Sequence, residues 1–326
     1  MRHRTVTLLA VPVLAVSLAG CGGTDAGAAD AAAGYPVTVE NCGTEVVFPQ
    51  APERVVLLES APVTILDGLG VLDRVVSRAG SFAPEYYSDD LNARISEIPA
   101  LSEDIDAAGH LMLSQEVVMA EEPDLVLGLP DGMTREGLAD AGANVLIQDV
   151  YCTEDVAPTT FDTLYSQIET YGRIFDRQGQ SADLVDSLRD RVAAVTEATA
   201  DAPERTAAVL YPTVGGGPLY TYGTASMAQP QLEAAGFTNV FADSSQRVFE
   251  VSVEELIDRD PDVLILLGQG DLSGLAGEIT ALPGADSLRA LADDQVLVQS
   301  FNFTEPPSPL AVDGLERIVE RFGTGG

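Results

Sequence analysis

Residues 160–199 read TFDTLYSQIETYGRIFDRQGQSADLVDSLRDRVAAVTEAT, and this segment decides how the rest of the chain is divided. Its apolar residues recur every three or four positions, which is the spacing of a helix that buries one face. Thr160 is a favourable N-cap, whereas Gly179 is a residue that breaks or bends a helix. We therefore predict a joining helix over 159–178 that ends near Gly179. Residues 182–199 are then expected to pack on the lobe that follows.

Two similar segments flank this helix. Residues 114–129 read SQEVVMAEEPDLVLGL, and residues 252–267 read SVEELIDRDPDVLILL. Aligned without a gap, both carry a Ser, a Glu two positions later, and a Pro-Asp pair followed by aliphatic residues. Each segment is typical of a short helix that ends before Pro and leads into a buried strand. The sequence therefore predicts two similar halves connected by a helix.

Each half alternates aliphatic strands with short helices. Strands of this composition are buried on both faces, as in parallel sheets covered by helices. We predict an α/β fold with two Rossmann-like lobes, each with a mostly parallel central sheet, joined by a rigid backbone helix. The N-terminal lobe is expected over 36–158 and the C-terminal lobe over 179–326. Because ligands of such sheets bind at the carboxyl ends of the strands, a cleft is expected between the lobes.

The N-terminus is typical of an exported lipoprotein. Residues 1–4 are basic, residues 5–19 are apolar, and the tetrapeptide LAGC ends at Cys21. This pattern indicates a secretory signal peptide over 1–20 and not a spanning helix. We expect lipidation at Cys21 and a flexible tether over 21–35, so that a lipid anchors the protein to the outer face of the cytoplasmic membrane. The alternative is a cysteine that merely lies near the cleavage site.

Two further cysteines follow, Cys42 and Cys152. Cys42 lies at the turn of a predicted hairpin over 37–48, and Cys152 follows the predicted strand NVLIQDV. An exported compartment is oxidising, and two cysteines have one possible pairing. We predict a disulfide that attaches the hairpin to the end of the N-terminal lobe. The alternative, a metal or catalytic thiol, lacks neighbouring histidines.

The chain is strongly acidic, with 51 Asp and Glu residues against 17 basic residues that are all Arg. Removal of Arg2 and Arg4 with the signal peptide would leave a net charge of 15 − 51 = −36. Such a surface repels nucleic acid and anionic lipid, so we expect no nucleic-acid partner and no membrane contact beyond the lipid anchor. The acidic residues are spread along the chain, which favours solubility over a cationic ligand as their explanation.

The order of these features resembles a known family. In order, the chain has a lipobox, a hairpin leading into ERVVLL, the Glu-x6-Pro-Asp unit in both halves, a helical joint, the segment AAGFTNVFAD and a Pro-rich loop before the last helix. This series is similar to that of the substrate-binding proteins of ABC importers for iron-siderophores, haem and cobalamin. The resemblance covers 37–322. It implies two lobes on a rigid helix, a shallow cleft and little hinge closure on binding.

The resemblance implies a function and a partner. We expect capture of an iron-siderophore-type chelate and its delivery to an ABC permease by a monomer without a cofactor of its own; cobalamin or haem capture is the alternative. Family members dock on permease arginines through one acidic residue per lobe, and the matching positions are Glu116 and Glu254. A carboxylate on each lobe suits bidentate Arg pairing with a two-fold permease. The alternative is that both acids only favour a helix start, two residues after a Ser cap.

The expected ligand-binding residues are aromatic side chains and one cation. Such a set suits flat catecholate or hydroxamate chelates, because stacking and charge pairing act together. For each residue, packing in the core is as plausible as contact with ligand. The set comprises Phe82, Tyr86 and Tyr87 after the second sheet strand, Tyr211, Tyr220 and Tyr222 around a Gly-rich loop, and Arg247, Phe249, Phe301 and Phe303 in later loops.

No residue pattern predicts a bare metal site or an active site. His110 is the only histidine after the signal peptide, and a lone His near a helix start is more often a capping or packing residue than a haem ligand. Zinc bound by protein alone needs several His or Cys ligands. The alternative of another class is a secreted α/β enzyme: GQGDLSG at 268–274 is similar to a dinucleotide-binding loop, but Ser273 stands where its third glycine is required. We expect no catalytic residues.

Overall fold

The structure, a computed structural model, describes residues 34–103, 111–152 and 157–323. The predicted signal peptide, Cys21 and His110 lie outside the described residues, as does most of the predicted tether. None of the helices in the described part of the chain has the length and apolar character needed to cross a membrane.

The N-terminal lobe is built on a parallel sheet. A hairpin of β1 (Val37–Asn41) and β2 (Thr44–Phe48) precedes it. The sheet strands are β3 (Val55–Leu57), β4 (Val75–Ala79), β5 (Ala100–Ser102), β6 (Leu125–Leu127) and β7 (Asn144–Leu146). The connecting helices are α1 (Val63–Gly68), α2 (Asp89–Glu97), α3 (Gln115–Met119) and α4 (Arg135–Asp140). The order is β5-β4-β3-β6-β7, and the central strands β3 and β6 are fully buried, as their aliphatic composition predicts.

Two helices, α5 (Phe161–Ile174) and α6 (Gln178–Thr199), follow the N-terminal lobe. The chain turns between them at residues 175–177, where Asp176 has a φ of 54°. Aspartate tolerates this left-handed conformation better than most residues. Gly179 lies inside the first turn of α6, so the break predicted there is wrong.

The C-terminal lobe has a mixed sheet. Its strands are β8 (Arg205–Pro212), β9 (Leu219–Tyr222), β10 (Phe237–Asn239), β11 (Val248–Val251), β12 (Val263–Gly268) and β13 (Val296–Ser300). Its helices are α7 (Ala228–Ala234), α8 (Val253–Arg259), α9 (Leu275–Thr280), α10 (Arg289–Ala292) and α11 (Pro309–Phe322). The order is β11-β9-β8-β12-β13, with β10 beside the first residues of β8. Strands β8, β10, β12 and β13 are parallel, whereas β9 and β11 are antiparallel additions at one edge.

The antiparallel edge corrects one prediction. Tyr220 and Tyr222 do not lie in a Gly-rich loop, because the loop is limited to residues 213–218 and the chain then returns as β9. The alternation Leu-Tyr-Thr-Tyr at residues 219–222 is a strand pattern that the neighbouring glycines obscured. The fold class, two α/β lobes with largely parallel central sheets, is confirmed.

The repeated Pro-Asp pair anchors the central strands of both lobes. Asp124 accepts hydrogen bonds from the backbone N–H groups of Glu53 and Arg54, at 2.7 and 2.9 Å, just before β3. Asp262 accepts from the N–H and the hydroxyl of Thr206 in β8, at 2.8 and 2.9 Å. Because β3 pairs with β6 and β8 with β12, each aspartate fixes the start of one central strand against its neighbour.

Helix α6 belongs to two hydrophobic cores. Val185 and Leu188 lie in the core of the N-terminal lobe, Val195 packs on that of the C-terminal lobe, and Val192 contacts both. The prediction that residues 182–199 pack only on the C-terminal lobe is therefore wrong, since a helix of 22 residues spans about 33 Å. Helix α11 is shared in the same way, with Leu310 and Val312 in the first core and Leu315, Ile318 and Phe322 in the second.

The predicted disulfide between Cys42 and Cys152 is present, with 5.1 Å between the two Cα atoms. It connects the β1–β2 turn to the segment after β7. Asn41 supports the same junction, because its side chain donates to the carbonyl of Ile147 at 2.8 Å and accepts the N–H of that residue at 2.9 Å. The bounds of the predicted domains, 36–158, 159–178 and 179–326, stay predictions.

Candidate functional site

The loops at the carboxyl ends of the strands of the two lobes meet directly. The side-chain amide of Asn302, after β13, donates to the hydroxyl of Ser60, after β3, at 2.9 Å. The backbone N–H of Asn302 donates to the hydroxyl of Tyr86 at 3.0 Å. The hydroxyl of Ser300 donates to the carboxylate of Glu85 at 2.8 Å. These bonds connect the lobes at the edge where ligands of α/β sheets bind.

Three predicted ligand residues lie inside this contact. Tyr86, Tyr87 and Phe303 are buried, and the ring of Tyr86 meets that of Phe303 edge to face at 5.3 Å between centroids. The hydroxyl of Tyr87 donates to the carbonyl of Ser60 at 3.2 Å. Burial raises the pKa of Tyr86 to about 12, and it also raises the pKa of Tyr87. These side chains form part of the contact between the two lobes. Because their pKa values are raised, both phenols are protonated at neutral pH.

Partly exposed residues of both lobes lie beside this contact. We call the surface that they form the interlobe groove, and define it by Glu59, Tyr151, Tyr211, Arg247 and Phe301. The Arg247 guanidinium lies 4.9 Å from the ring centroid of Tyr151, so one side chain from each lobe meets across the groove.

The second lobe supplies an aromatic wall. The rings of Tyr211 and Phe301 meet edge to face at 5.9 Å, and burial raises the pKa of Tyr211. Tyr220 pairs with Tyr211 across β8 and β9, which places the two side chains on the same face of the sheet. The structure therefore brings together three of the predicted aromatic residues, and all three are partly exposed.

Arg247 does not act as a free cation. It forms an ion pair with Glu305 at 3.3 Å, in which the Arg side chain is 24% exposed and the Glu side chain is 0% exposed. The other oxygen of Glu305 accepts the backbone N–H of Met227 at 2.6 Å. Burial raises the pKa of Glu305, while the charge of Arg247 and these hydrogen bonds oppose that rise. The positive charge that the sequence analysis assigned to a ligand is thus compensated within the protein.

Glu59 and Tyr151 are the residues of the groove that sequence reasoning missed. Glu59 is the second residue after β3, is half-buried, and lies across Gly128, where a Cβ atom would be 3.2 Å from its Cγ. Burial raises the pKa of Glu59 to about 7, and hydrogen bonding with the side-chain amide of Gln148 opposes that rise. Gln148 is only 2% exposed, and neither of its amide atoms makes a hydrogen bond of normal geometry.

The charge of Glu59 acts on two tyrosines of its own lobe and of α5. Burial first, and then the nearby Glu59 carboxylate, raises the pKa of Tyr151 and of Tyr171. Tyr151 remains 37% exposed, so it lies on the groove surface while most of its surroundings are protein. Glu59 has no ion-pair partner among the described residues.

Two predicted residues lie elsewhere, and a third is buried beneath the groove. Phe82 packs on the core of the N-terminal lobe, with the guanidinium of Arg78 at 5.0 Å from its ring centroid. Tyr222 is buried on the face that carries Tyr211 and Phe301, where burial and then the nearby Glu305 raise its pKa. Phe249 packs edge to face on Phe241 in the cluster on the opposite face of that sheet. The structure therefore does not bring Phe249 to the groove residues.

The predicted docking residues lie on exposed helix starts. Glu116 is in the first turn of α3, and Glu254 is in the first turn of α8. A hydrogen bond from its own backbone N–H and one from Ser114 lower the pKa of Glu116, so it is ionised at neutral pH. Neither glutamate forms an ion pair within the described part of the chain.

Two concave spaces occur away from the groove. One, of about 410 Å³, is lined by the end of α6, the turn before β10 and the end of α11. The other, of about 40 Å³, lies between β1, the end of β7 and α5, and is large enough for water. Among residues 34–103, 111–152 and 157–323, no group of three His, Cys, Asp or Glu side chains is placed to hold a metal ion.

Comparison with known sequences identifies the family. The sequence profile described as "Periplasmic binding protein" matches residues 55–300, which is most of the chain. The chain belongs to the periplasmic binding protein family. The predicted resemblance is thereby confirmed at the level of the family.

Several relatives have names that state a ligand. The protein is 58% identical in sequence to the chain in a crystal structure described as an "ABC-type Fe3+-hydroxamate transport system" from Saccharomonospora viridis. The structural match covers 89% of this chain and 100% of the other, with a TM-score of 0.86. It is 27% identical over 90% of its length to a "Cobalamin-binding protein" of Halobacterium salinarum, of which 76% is covered. The periplasmic vitamin B12-binding protein of Vibrio cholerae shares the fold, with a TM-score of 0.61. The two chains are 19% identical, and the match covers 84% of this chain and 97% of that one.

Proposed function

We propose that the protein captures a ferric hydroxamate chelate in the interlobe groove and delivers it to an ABC permease. The observation that carries this proposal is the 58% identity, over the full length of that relative, to a protein described as part of an Fe3+-hydroxamate transport system. The iron would arrive inside the chelate, so the protein itself needs no resident cofactor.

The groove has the chemistry of a site for a flat, uncharged chelate. Tyr151, Tyr211 and Phe301 offer partly exposed rings, which suit stacking and apolar contact with the ligand. The charge of Arg247 is already paired with Glu305, and Glu59 contributes a carboxylate. A ferric ion with three hydroxamates is neutral, whereas ferric catecholates and haem are anionic. The groove therefore favours the hydroxamate class over both.

The connections between the lobes support binding without large closure. Tyr86, Phe303 and Asn302 form a buried contact between the lobes, and α6 and α11 take part in both cores. Gly314 lies so close to the Phe303 backbone that a Cβ atom would be 1.7 Å from its carbonyl oxygen. A hinge would have to break these contacts together, so we propose that the ligand enters a groove that is largely formed beforehand.

We propose that delivery depends on an exported position and on two exposed acids. We propose that a lipid on Cys21 holds the protein at the membrane and that Glu116 and Glu254 bind arginines of the permease. Both glutamates are exposed and free of internal ion pairs, so docking would break no bond that stabilises the fold. Their positions at the starts of α3 and α8 are equivalent in the two lobes.

Binding of ferrichrome, a neutral ferric hydroxamate, tests the proposal. Tyrosine fluorescence and thermal unfolding should both report saturable binding, and ligand at 100 times its Kd should raise the free energy of unfolding by about 2.7 kcal/mol. Tyr211→Ala should weaken binding by roughly tenfold because it removes a groove ring. Val214→Ala is the matched control, since this nearby side chain is 69% exposed in the loop that follows β8.

Two comparator ligands complete the experiment. Cyanocobalamin is included because the protein is 27% identical to a cobalamin-binding protein over 90% of its chain, and haemin is included as an anionic ligand. Saturable binding of cyanocobalamin without binding of any ferric hydroxamate would replace the proposed ligand by the alternative. Absence of binding for all three would contradict the proposal.

A further inference from the structure

We propose that Glu59 makes the groove selective, among ferric hydroxamates, for chelates that carry a positively charged arm such as an ammonium group. This inference rests on the proposed function and adds the charge class of the ligand. It assigns to Glu59 a role in specificity, as a contact for the arm and not for the iron centre.

The position of Glu59 gives it access to a ligand. Glu59 directly precedes Ser60, whose hydroxyl accepts the hydrogen bond from Asn302 of the other lobe. The Glu59 carboxylate is also close enough to Tyr151 to raise its pKa, and the guanidinium of Arg247 from the other lobe lies over the Tyr151 ring. Glu59 therefore lies between two points at which the lobes approach each other. Its side chain is held over Gly128, which has a φ of 96° and no side chain to displace it.

The charges around the groove leave Glu59 without compensation. Arg247 is paired with the buried Glu305 at 3.3 Å. Arg78, whose side chain is 12% exposed, is paired with Glu103 at 3.3 Å. Both arginines are thus neutralised by carboxylates of their own lobe, and no described cation is paired with Glu59. A cation from the ligand would complete the set of charges.

The polar surroundings of Glu59 include one amide but no paired cation among the described residues. The side-chain amide of Gln148 lies next to the carboxyl group, and its hydrogen bonding lowers the Glu59 pKa against the effect of burial, although neither amide atom has a partner at normal hydrogen-bond geometry. Such a weak contact leaves the carboxylate without a cation and the amide oxygen without a donor. An ammonium group has three donors and could bind the carboxylate and the amide oxygen together.

The groups that face Glu59 predict how the selectivity depends on pH. They are Gln148 and Tyr151 of the N-terminal lobe and Tyr171 of α5, and Tyr151 in turn faces the Arg247–Glu305 pair. Both tyrosines have raised pKa values and stay neutral, so Glu59, whose pKa is about 7, is the one that titrates near neutrality. Preference for a cation should therefore increase from pH 6 to pH 8, as Glu59 becomes ionised.

A pair of chelates with equal iron centres tests the inference. Ferrioxamine B carries a free ammonium arm, and its N-acetyl derivative has the same arm without charge. At pH 8 the wild-type protein should bind the cationic chelate about tenfold or more tightly than the acetylated one, as expected for one close charge pair in a partly exposed site. At pH 6 the ratio should be smaller. Calorimetric or fluorescence titration gives both dissociation constants.

Two variants assign the effect to its residue. Glu59→Gln keeps the shape of the side chain and should reduce the affinity ratio to near one, because the cationic chelate loses its charge partner. Glu97→Gln removes one charge from the exposed end of α2 and should leave the ratio unchanged. A thermal unfolding curve of each variant shows whether it is folded.

The outcomes separate this inference from the proposed function. If the wild-type protein binds both chelates with equal affinity at pH 8, selectivity by Glu59 is wrong and the proposed hydroxamate function stands. A ratio that Glu59→Gln leaves intact would likewise overturn the assignment. If neither chelate nor ferrichrome binds to the wild-type protein, the proposed function itself fails. The wild-type comparison needs no variant, so a misfolded variant does not prevent a decision.

Discussion

The two copies of the repeated unit, residues 114–129 and 252–267, differ in how firmly they are attached to their lobes. In the second copy the Ser252 hydroxyl accepts the N–H of Glu255 at 3.1 Å and caps α8. In the first copy Ser114 makes no such cap, and α3 has five residues against the seven of α8. The same sequence pattern thus produces a capped helix in one lobe and an uncapped helix in the other.

The aspartates of the two Pro-Asp pairs also differ, and the second copy is again the more firmly attached. Asp124 receives only backbone hydrogen bonds, from the segment before β3. Asp262 receives two hydrogen bonds from Thr206 and also binds the guanidinium of Arg289 at 2.7 Å. The Pro-Asp pair therefore anchors a strand in both lobes, whereas the exposed Glu116 and Glu254 form no ion pair with the described residues that would explain their repetition.

The largest effect is expected from removing both exposed glutamates. The double variant Glu116→Ala and Glu254→Ala should reduce ferric-chelate uptake by at least about tenfold, because loss of the two Arg–carboxylate pairs together weakens docking by more than about 1.4 kcal/mol. Chelate affinity and thermal stability should stay at wild-type values. Asp258→Ala, on the exposed side of α8, serves as the control. Normal uptake by the double variant would contradict the proposed docking of Glu116 and Glu254 on the permease.

The next effect concerns the strand anchors. Asp262→Ala should lower the free energy of unfolding by about 2–3 kcal/mol, because it leaves Thr206 and Arg289 without their acceptor. Asp124→Ala should cost about 1–2 kcal/mol, since it removes two backbone bonds and no cation. Urea denaturation of both variants gives the two values, and equal losses would contradict the difference inferred between the copies.

A smaller effect is expected at the helix caps. Ser252→Ala should lower the free energy of unfolding by about 1 kcal/mol through loss of the cap on α8. Ser114→Ala should have no measurable effect on stability, because its hydroxyl caps no backbone N–H. Each variant is the control for the other. Similar losses in chemical denaturation would mean that the first copy is capped in solution as well.

The smallest effect is a difference in acid sensitivity. Burial alone would raise the pKa of Asp262, but hydrogen bonds from Thr206 and the charges of Arg289 and Arg205 outweigh it and lower that pKa. A lowered folded-state pKa contributes stability that is present above the unfolded pKa, near 4, and is lost as pH falls through the folded value. Unfolding curves between pH 5 and pH 3 should therefore fall less steeply for Asp262→Asn than for the wild type.

Sequence reasoning predicted the features that periodicity and spacing encode. The two lobes, the alternation of helices with the central parallel strands, the Cys42–Cys152 disulfide and the family could all be predicted, because each depends on local pattern or on an ordered series of motifs. The helix break was placed at Gly179 instead of Asp176 because glycine is the more usual signal. A left-handed Asp is set by its tertiary surroundings.

The groove was only partly predictable. Tyr211, Tyr220, Arg247 and Phe301 were expected, but nothing local distinguished them from Tyr86 and Phe303, which pack between the lobes. Glu59, Tyr151 and Glu305 were missed because their roles depend on burial and on partners far away in sequence, such as Arg247 for Tyr151 and for Glu305. The one available signal was that Glu59 lies two residues after the first strand of the sheet, at a carboxyl end.

Helix α6 has a consequence for the chain as a cooperative unit. Because its first half completes one hydrophobic core and its second half completes the other, neither lobe retains a full core when the chain is divided between them. Heat should accordingly unfold both lobes in a single transition, despite their separate sheets. A fragment comprising either lobe alone would expose one apolar side of a shared helix, so exchange of whole lobes between related proteins requires both halves of α6 to be matched as well.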